Sequence, residues 1–246
     1  MKIVTIGGGT GQNHVLRSLR LLAPRISDLH ITAIPTTSDS AGSSGVLRYA
    51  HDIVAPGDIS QCMFGLHPRP DEVFWLFGER FKRGNGSVLE GHTLRNMIVV
   101  AAFQGFGVSQ AAMDAIKKEF SLQGDIAPVT FSRADVCVKL KDGAIIRGEG
   151  EIYEANLLGG GGVTEAWLEP DGIVLNQKAL DAIKEADIIV VCPGTLTCSI
   201  IPNFLVPGMN EALVSSKAIK AYVMNLMNRR GHIPENWNVP YYVRFI

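Results

Sequence analysis

Met1-Lys2-Ile3-Val4-Thr5-Ile6-Gly7-Gly8-Gly9-Thr10-Gly11 opens the chain as a short apolar run that breaks into glycines around one threonine. Behind it, Asn13 to Leu19 reads as the first turns of a helix, with Val15, Leu16 and Leu19 on one face. A strand, a glycine turn and a helix start make a phosphate-binding device. Glycine admits an anion to the backbone, and a helix N-terminus offers unpaired N–H groups and partial positive charge. A tight connection that binds nothing has the same outline, but the glycines here exceed what such a turn needs. Gly8, Gly9, Thr10 and Gly11 are therefore the first candidate ligand contacts.

The same pattern returns further along. Leu29 to Ile34 reads as a second strand, running into a loop from Pro35 to Arg48 that is dense in small hydroxyl residues. Ligands of open α/β sheets bind at strand C-terminal ends, where this loop sits. Ser43 and Ser44 suit a phosphate or ribose, and Asp39 suits a sugar hydroxyl or a metal. The dinucleotide fingerprint is not met. Gly7-x-Gly9-x-x leads to Gln12, Gly9-x-Gly11-x-x leads to His14, and Asp39 stands 28 residues past Gly11, where the fingerprint places its acid about 20 residues on. In Pro56-Gly57-Asp58, Asp58 reads first as an N-cap. Pro68 to Gly86 holds a helical pattern with the turn Asn85-Gly86. His92 and Asn96, four apart at the opening of the helix Met97 to Phe106, read either as a site pair or as satisfied structural residues.

From Gly124 the period changes to two. Ile126 to Val129, Asp135 to Leu140 and Ile145-Ile146 read as antiparallel strands. Gly148 to Ile152, the run Gly159 to Gly162 and Val163 to Leu168 continue a β-rich insertion over about 124–168. The α/β alternation then resumes. Gln177 to Ala186 is a helix, and Asp187 to Cys192 a buried parallel strand ending in Pro193-Gly194-Thr195. After a helix over Met209 to Ser215, the strand Ala221 to Met224 ends at Asn225. Four strand ends, at Gly7, Thr36, Pro193 and Asn225, should meet on one edge of a mostly parallel, Rossmann-like sheet flanked by helices. That edge suits one phosphorylated ligand, since each charge-assisted hydrogen bond contributes about 1.5–3 kcal/mol.

Composition narrows the classes. The chain has 246 residues, 46% hydrophobic and 19% charged, which suits one large domain. A formal charge of −1 with scattered Lys and Arg argues against nucleic acid as partner. Cys62, Cys137, Cys192 and Cys198 show no CxxC spacing and read as reduced thiols of a cytoplasmic protein. No signal peptide is evident, and no apolar segment approaches the ~20 residues of a membrane span.

These residues resemble a known family. Gly7 to Gly11, Asp39 with Gly42-Ser43-Ser44-Gly45-x-Leu47-Arg48, Pro56-Gly57-Asp58-Ile59 and Gly91-His92 with Asn96 are similar to the YvcK family, the gluconeogenesis factors. So are Ala186 to Val190 with Pro193-Gly194, Ser199 to Gly208 and Ser216-Lys217-Ala218. The resemblance covers most of 1–230. It implies one Rossmann-like domain over 1–246 in a cytosolic protein that binds a nucleotide sugar, typically UDP-N-acetylglucosamine. Such proteins act on carbon use and on cell-wall and shape control. The wider superfamily includes CofD, a transferase that joins a guanylylated phospholactate to a deazaflavin with Mg2+.

On that reading the ligand contacts are Gly8, Gly9, Thr10, Gly11, Asp39, Ser43, Ser44, Arg48, Asp58, His92, Asn96, Gly194, Thr195 and Asn225. Asp39, Asp58 and His92 are the catalytic candidates if there is turnover, and Asp39 is the metal candidate for a Mg2+ that accompanies the nucleotide. No nucleophile–base pair is evident, and a homo-oligomer is compatible with the pattern. The sequence departs from the family at Asp39-Ser40-Ala41-Gly42, where Asp-Asp-Gly-Gly is usual. It departs again at Ser60-Gln61 for Arg-Asn, at Arg95 for a glycine, at Thr197 for an aromatic, and in a short tail over 231–246.

Overall fold

The computed structural model describes residues 1–82, 84, 87–155 and 162–226. The turn Asn85-Gly86, most of the glycine run at 159–162 and the tail lie outside them. β1 (Lys2–Gly7) is the central strand of a five-stranded parallel sheet ordered β3-β2-β1-β7-β8. Its neighbours are β2 (His30–Pro35) and β7 (Ile188–Val191). β3 (Asp125–Ile126) and β8 (Ile219–Tyr222) lie outside them.

Alternation along the strands explains the layers. Val4, Ile6 and Ile34 face one core with Ile183 of α8 (Gln177–Glu185) and Met209 of α9 (Met209–Ser215). Ile31 and Ala33 face the other. There they meet Leu16 of α1 (Gly9–Leu22), Met63 of α3 (Pro56–Leu66), Phe103 of α5 (Leu94–Phe106) and Met113 of α6 (Gln110–Glu119). Period-2 strands with both faces apolar require helices on both sides, and the chain supplies them. One polar core contact joins β1 to α1, where the fully buried Gln12 donates to the Thr5 carbonyl and hydroxyl at 3.0 and 2.9 Å.

A second, antiparallel sheet, β5-β4-β6, is built from β4 (Asp135–Leu140), β5 (Ile145–Arg147) and β6 (Val163–Glu169). Its inner face, Val136, Val138 and Leu140, packs on Ile152 of the six-residue α7 (Glu149–Glu154) and on Cys198. All four cysteines are free and buried. No described helix is long and apolar enough to cross a membrane.

The sequence pattern misplaced five segments. Gly9 to Gly11 are not a turn before the helix but its first turn. The hydroxyl-rich loop ends at Ala41, and Gly42–His51 is helical (α2), held by burial of Leu47 and closed by Asp52 in a left-handed conformation. The expected helix there is a single turn, α4 (Phe74–Phe77), ending at Gly78, and only Phe77 of it is buried. The segment beginning at Ile126 belongs to the parallel sheet, as its edge strand β3, and not to the antiparallel one. Gly148 to Ile152 leads into α7, because Gly148 turns the chain at φ +85° and Ile152 is drawn into the small core.

Arg48 holds the two sheets together. It is fully buried, donating to the Ser38 carbonyl (3.2 Å), the Ala134 carbonyl (2.7 Å) and the Asp135 carboxylate (2.8 Å), with its guanidinium over Tyr49. Those donors are spent inside the protein, so the expected ligand contact is a structural one. Arg48→Met should keep the volume but leave two carbonyls and Asp135 unpaired, at a cost of about 3 kcal/mol. Denaturant unfolding of the two proteins checks this, and an unchanged midpoint would contradict it.

Candidate functional site

The ends of β2, β1, β7 and β8 are neighbours, and their loops leave the sheet at one level. Backbone bonds Thr36 to Gly7, Cys192 to Ile6 and Val223 to Val191 continue the ladder one step past each strand. The four predicted strand ends therefore do share an edge. Ligands of open α/β sheets settle where successive connections run to opposite sides, here beside β1.

Two glycines set how tightly this edge is built. A Cβ on Gly11 would stand 1.8 Å from the Pro193 carbonyl oxygen, so α1 starts against the loop after β7 with nothing between. A Cβ on Gly9 would stand 2.5 Å from Asp58 Oδ1 and 2.8 Å from Gln61 Cγ, so α1 also starts directly on α3. A side chain at Gly9 is thus excluded by α3 itself. Thr10 is exposed at the mouth. Asn225 Nδ2 donates to the Gly194 carbonyl at 2.8 Å, and the Thr195 carbonyl accepts the Ser199 N–H at 2.7 Å. These bonds fix the β7 loop, and Ser199 packs between Gly8 and Gly194.

The opposite wall is a hydroxyl chain. Ser43 Oγ accepts from Asn96 Nδ2 at 3.0 Å and lies 2.9 Å from His92 Nδ1, so the Ser43 hydrogen can go to the imidazole. Asn96 Oδ1 accepts from Ser60 Oγ at 2.6 Å, and Thr93 caps α5 through the Asn96 N–H. His92 lies outside the helix, yet it and Asn96 still converge on one hydroxyl. Ser43 and His92 form a hydroxyl–imidazole contact that the sequence did not disclose. Ser60 buttresses Asn96. Arg95 turns away and donates to the Phe77 carbonyl, with burial and then Arg80 lowering its pKa to about 10.

The floor is acidic. Asp58 does not cap α3, which starts at Pro56 after Ala55; its carboxylate instead takes the Gly9 N–H. Burial, then Asp39, pushes its pKa up to about 8, against that hydrogen bond. Asp39 accepts the Ala41 N–H at 2.8 Å and a bond from Ser44. Burial raises its pKa even so, with Arg48 and Arg80 opposing. Glu149 joins them from α7, pushed well above the usual carboxylate range by burial, then by Asp39 and Asp58. Three acids in one poorly solvated pocket cannot all ionise. No group of three or more His, Cys, Asp or Glu among the described residues is arranged to hold a metal ion. Asp39 and Asp58 already take backbone N–H groups, and burial favours their protonated forms, whereas a carboxyl must lose its proton to ligate Mg2+.

The structure thus gathers Gly8, Gly9, Thr10, Gly11, Asp39, Ser43, Ser44, Asp58, His92, Asn96, Gly194, Thr195 and Asn225, and removes Arg48 to the interior. Sequence reading missed Glu149, Ser199 and Arg80. Glu149 had one signal, an acid between Gly148 and Gly150.

The sequence profile of the family described as 2-phospho-L-lactate transferase CofD matches residues 3–239. A protein of Aquifex aeolicus is 39% identical over 231 residues, 94% of this chain and 69% of its own length. A gluconeogenesis factor of Listeria innocua is 34% identical over 94% of this chain and 68% of its own. The chain spans about half the length of relatives from Nostoc and Clostridium acetobutylicum. A crystal structure of a Bacillus halodurans protein superimposes with a TM-score of 0.86 at 32% identity, covering 99% of this chain and 74% of that one.

Asp58 gives a pH signature. The folded chain keeps its proton up to about pH 8, whereas the unfolded chain releases it near pH ~4. Its contribution to stability is complete below the unfolded pKa and is lost as pH rises through the folded one. Asp58→Asn retains an acceptor for Gly9 without a charge. It should match the parent near pH 4 and become the more stable of the two as pH approaches 8, in denaturant titrations at both pH values. Parallel pH profiles would refute this assignment.

Proposed function

The chain belongs to the CofD family, and from that premise we propose that it binds a nucleotide sugar such as UDP-N-acetylglucosamine and acts as a regulatory protein of the gluconeogenesis-factor type. The observation that carries this reading is the composite edge. The first turn of α1 and the β7 loop offer backbone N–H groups and no bulky side chains, which suits a pyrophosphate. The Ser43–His92–Asn96 chain and the acids offer hydrogen bonds to neutral polar groups, which suits a sugar or ribose. Arg80, exposed beside Asp39 and anchored on the Gly91 carbonyl at 2.7 Å, adds a cation at the mouth. Roles in carbon metabolism, cell wall and cell shape belong to the same proposal, as does action in the cytoplasm.

A second reading is group transfer from a nucleotide-activated donor with Mg2+, as the CofD name describes. Its support is His92 Nδ1 at 2.9 Å from Ser43 Oγ, since the imidazole can take a proton from a hydroxyl held there. The donor set around Asp39 and Asp58 weighs against it.

Calorimetry with UDP-N-acetylglucosamine, UDP-glucose and GDP, each with Mg2+ and with a chelator, separates the two. Binding of a UDP-sugar that is unaltered by chelation is the expected result, and no binding at millimolar ligand would sink the reading. Affinity for GDP that depends on Mg2+ would favour transfer. Ser43→Ala, which removes the hydroxyl that links His92 to Asn96, should weaken the sugar ligand about fivefold, equivalent to about 1 kcal/mol.

A further inference from the structure

We propose that Glu149, supplied by the second sheet and its helix, is a specificity-determining residue that recognises the neutral hydroxyl- or amide-bearing half of the ligand. This rests on the nucleotide-sugar reading and assigns one part of that ligand to one residue.

The placement is built. α7 is anchored by Ile152, fully buried among Val136, Val138 and Cys198. Its start is tied to both loops of the main site. The Gly150 N–H donates to Ser40 Oγ at 3.2 Å, next to Asp39, and Cys198 Sγ reaches the Glu149 carbonyl at 4.0 Å from the β7 loop. Glu149 therefore stands where the β2 and β7 loops meet, facing Asp39 and Asp58, with Arg48 as the nearby cation. Its Oε2 is sealed from solvent and has no hydrogen-bond partner among the described residues. A buried polar atom left unpaired is costly, and a partner from outside the chain removes that cost.

The chemistry of the neighbourhood selects the partner. A phosphate brought against three acids is repelled, so it belongs on the α1 side. A full cation would suit ionised acids, but burial and mutual repulsion keep these acids partly protonated. A protonated carboxyl both donates and accepts, and so does a sugar hydroxyl or an acetamido group. A site built to hydrogen-bond such a group rejects ligands that lack it, because its buried polar atoms then stay unpaired.

The test compares UDP with UDP-N-acetylglucosamine on the full chain by calorimetry, for the parent, Glu149→Ala and Glu149→Gln, with melting curves for each. The alanine variant should bind the sugar nucleotide at least tenfold more weakly while UDP changes less than twofold. The isosteric glutamine, which keeps a donor and an acceptor, should retain most of the discrimination. Equal losses for both ligands, or no loss in either variant, overturn the role of Glu149 and leave the nucleotide-sugar reading standing. Failure of the parent to bind either ligand removes that reading, and this inference with it.

Discussion

The contact on which the site depends is the seating of one helical turn between two neighbours. The start of α1 lies against the Pro193 carbonyl on one side and on Asp58 and Gln61 of α3 on the other. Backbone packs there against backbone and against short side chains, with no room for a methyl group. Everything else at the edge takes its position from this wedge. The β7 loop is held by Asn225, α3 presents Asp58 upward, and the hydroxyl chain closes the far side. Because Asp58 takes the Gly9 N–H, one of the first-turn donors of α1 is already satisfied from within the chain.

Much of this was legible in the residues. The parallel sheet followed from apolar strands separated by helical periods, and the shared edge followed from where hydroxyls and glycines fell at strand ends. His92 and Asn96 were visible as a candidate pair, but His92 lies outside α5, and they meet through the Ser43 hydroxyl rather than through helical spacing. What was not legible depended on tertiary contact. Local composition made Gly42 to Arg48 look like a loop; burial of Leu47 and Arg48 overrides the low helix propensity of Gly-Ser-Ser-Gly. Arg48 stood among the expected ligand contacts, and only its three internal acceptors show its structural role. Glu149 lies 110 positions from Asp39, inside a segment whose period pointed to strands, so no spacing rule linked them.

The second sheet does more than cover one flank. It is inserted between β3 and β7, on either side of which stand the two halves that form the main edge. Through α7 it touches both halves and places an acid between them. A change in that insertion can alter the pocket without disturbing a main-sheet strand, because the insertion has its own small core.

The register of the central strand also bears on how the molecule is made. Ile3 of β1 pairs with Ile188 of β7, so β1 gains its second neighbour 185 residues after it is made. At about 5–20 residues per second, that interval is on the order of ten to forty seconds on the ribosome. During it β1 is an aliphatic strand with one edge open, and long-range parallel pairing is slow even in a complete chain. The pocket cannot exist before that edge is filled, since its β7 and β8 walls arrive last. A nascent chain arrested before residue 188 would lack the candidate site and would present the edge most prone to aberrant pairing.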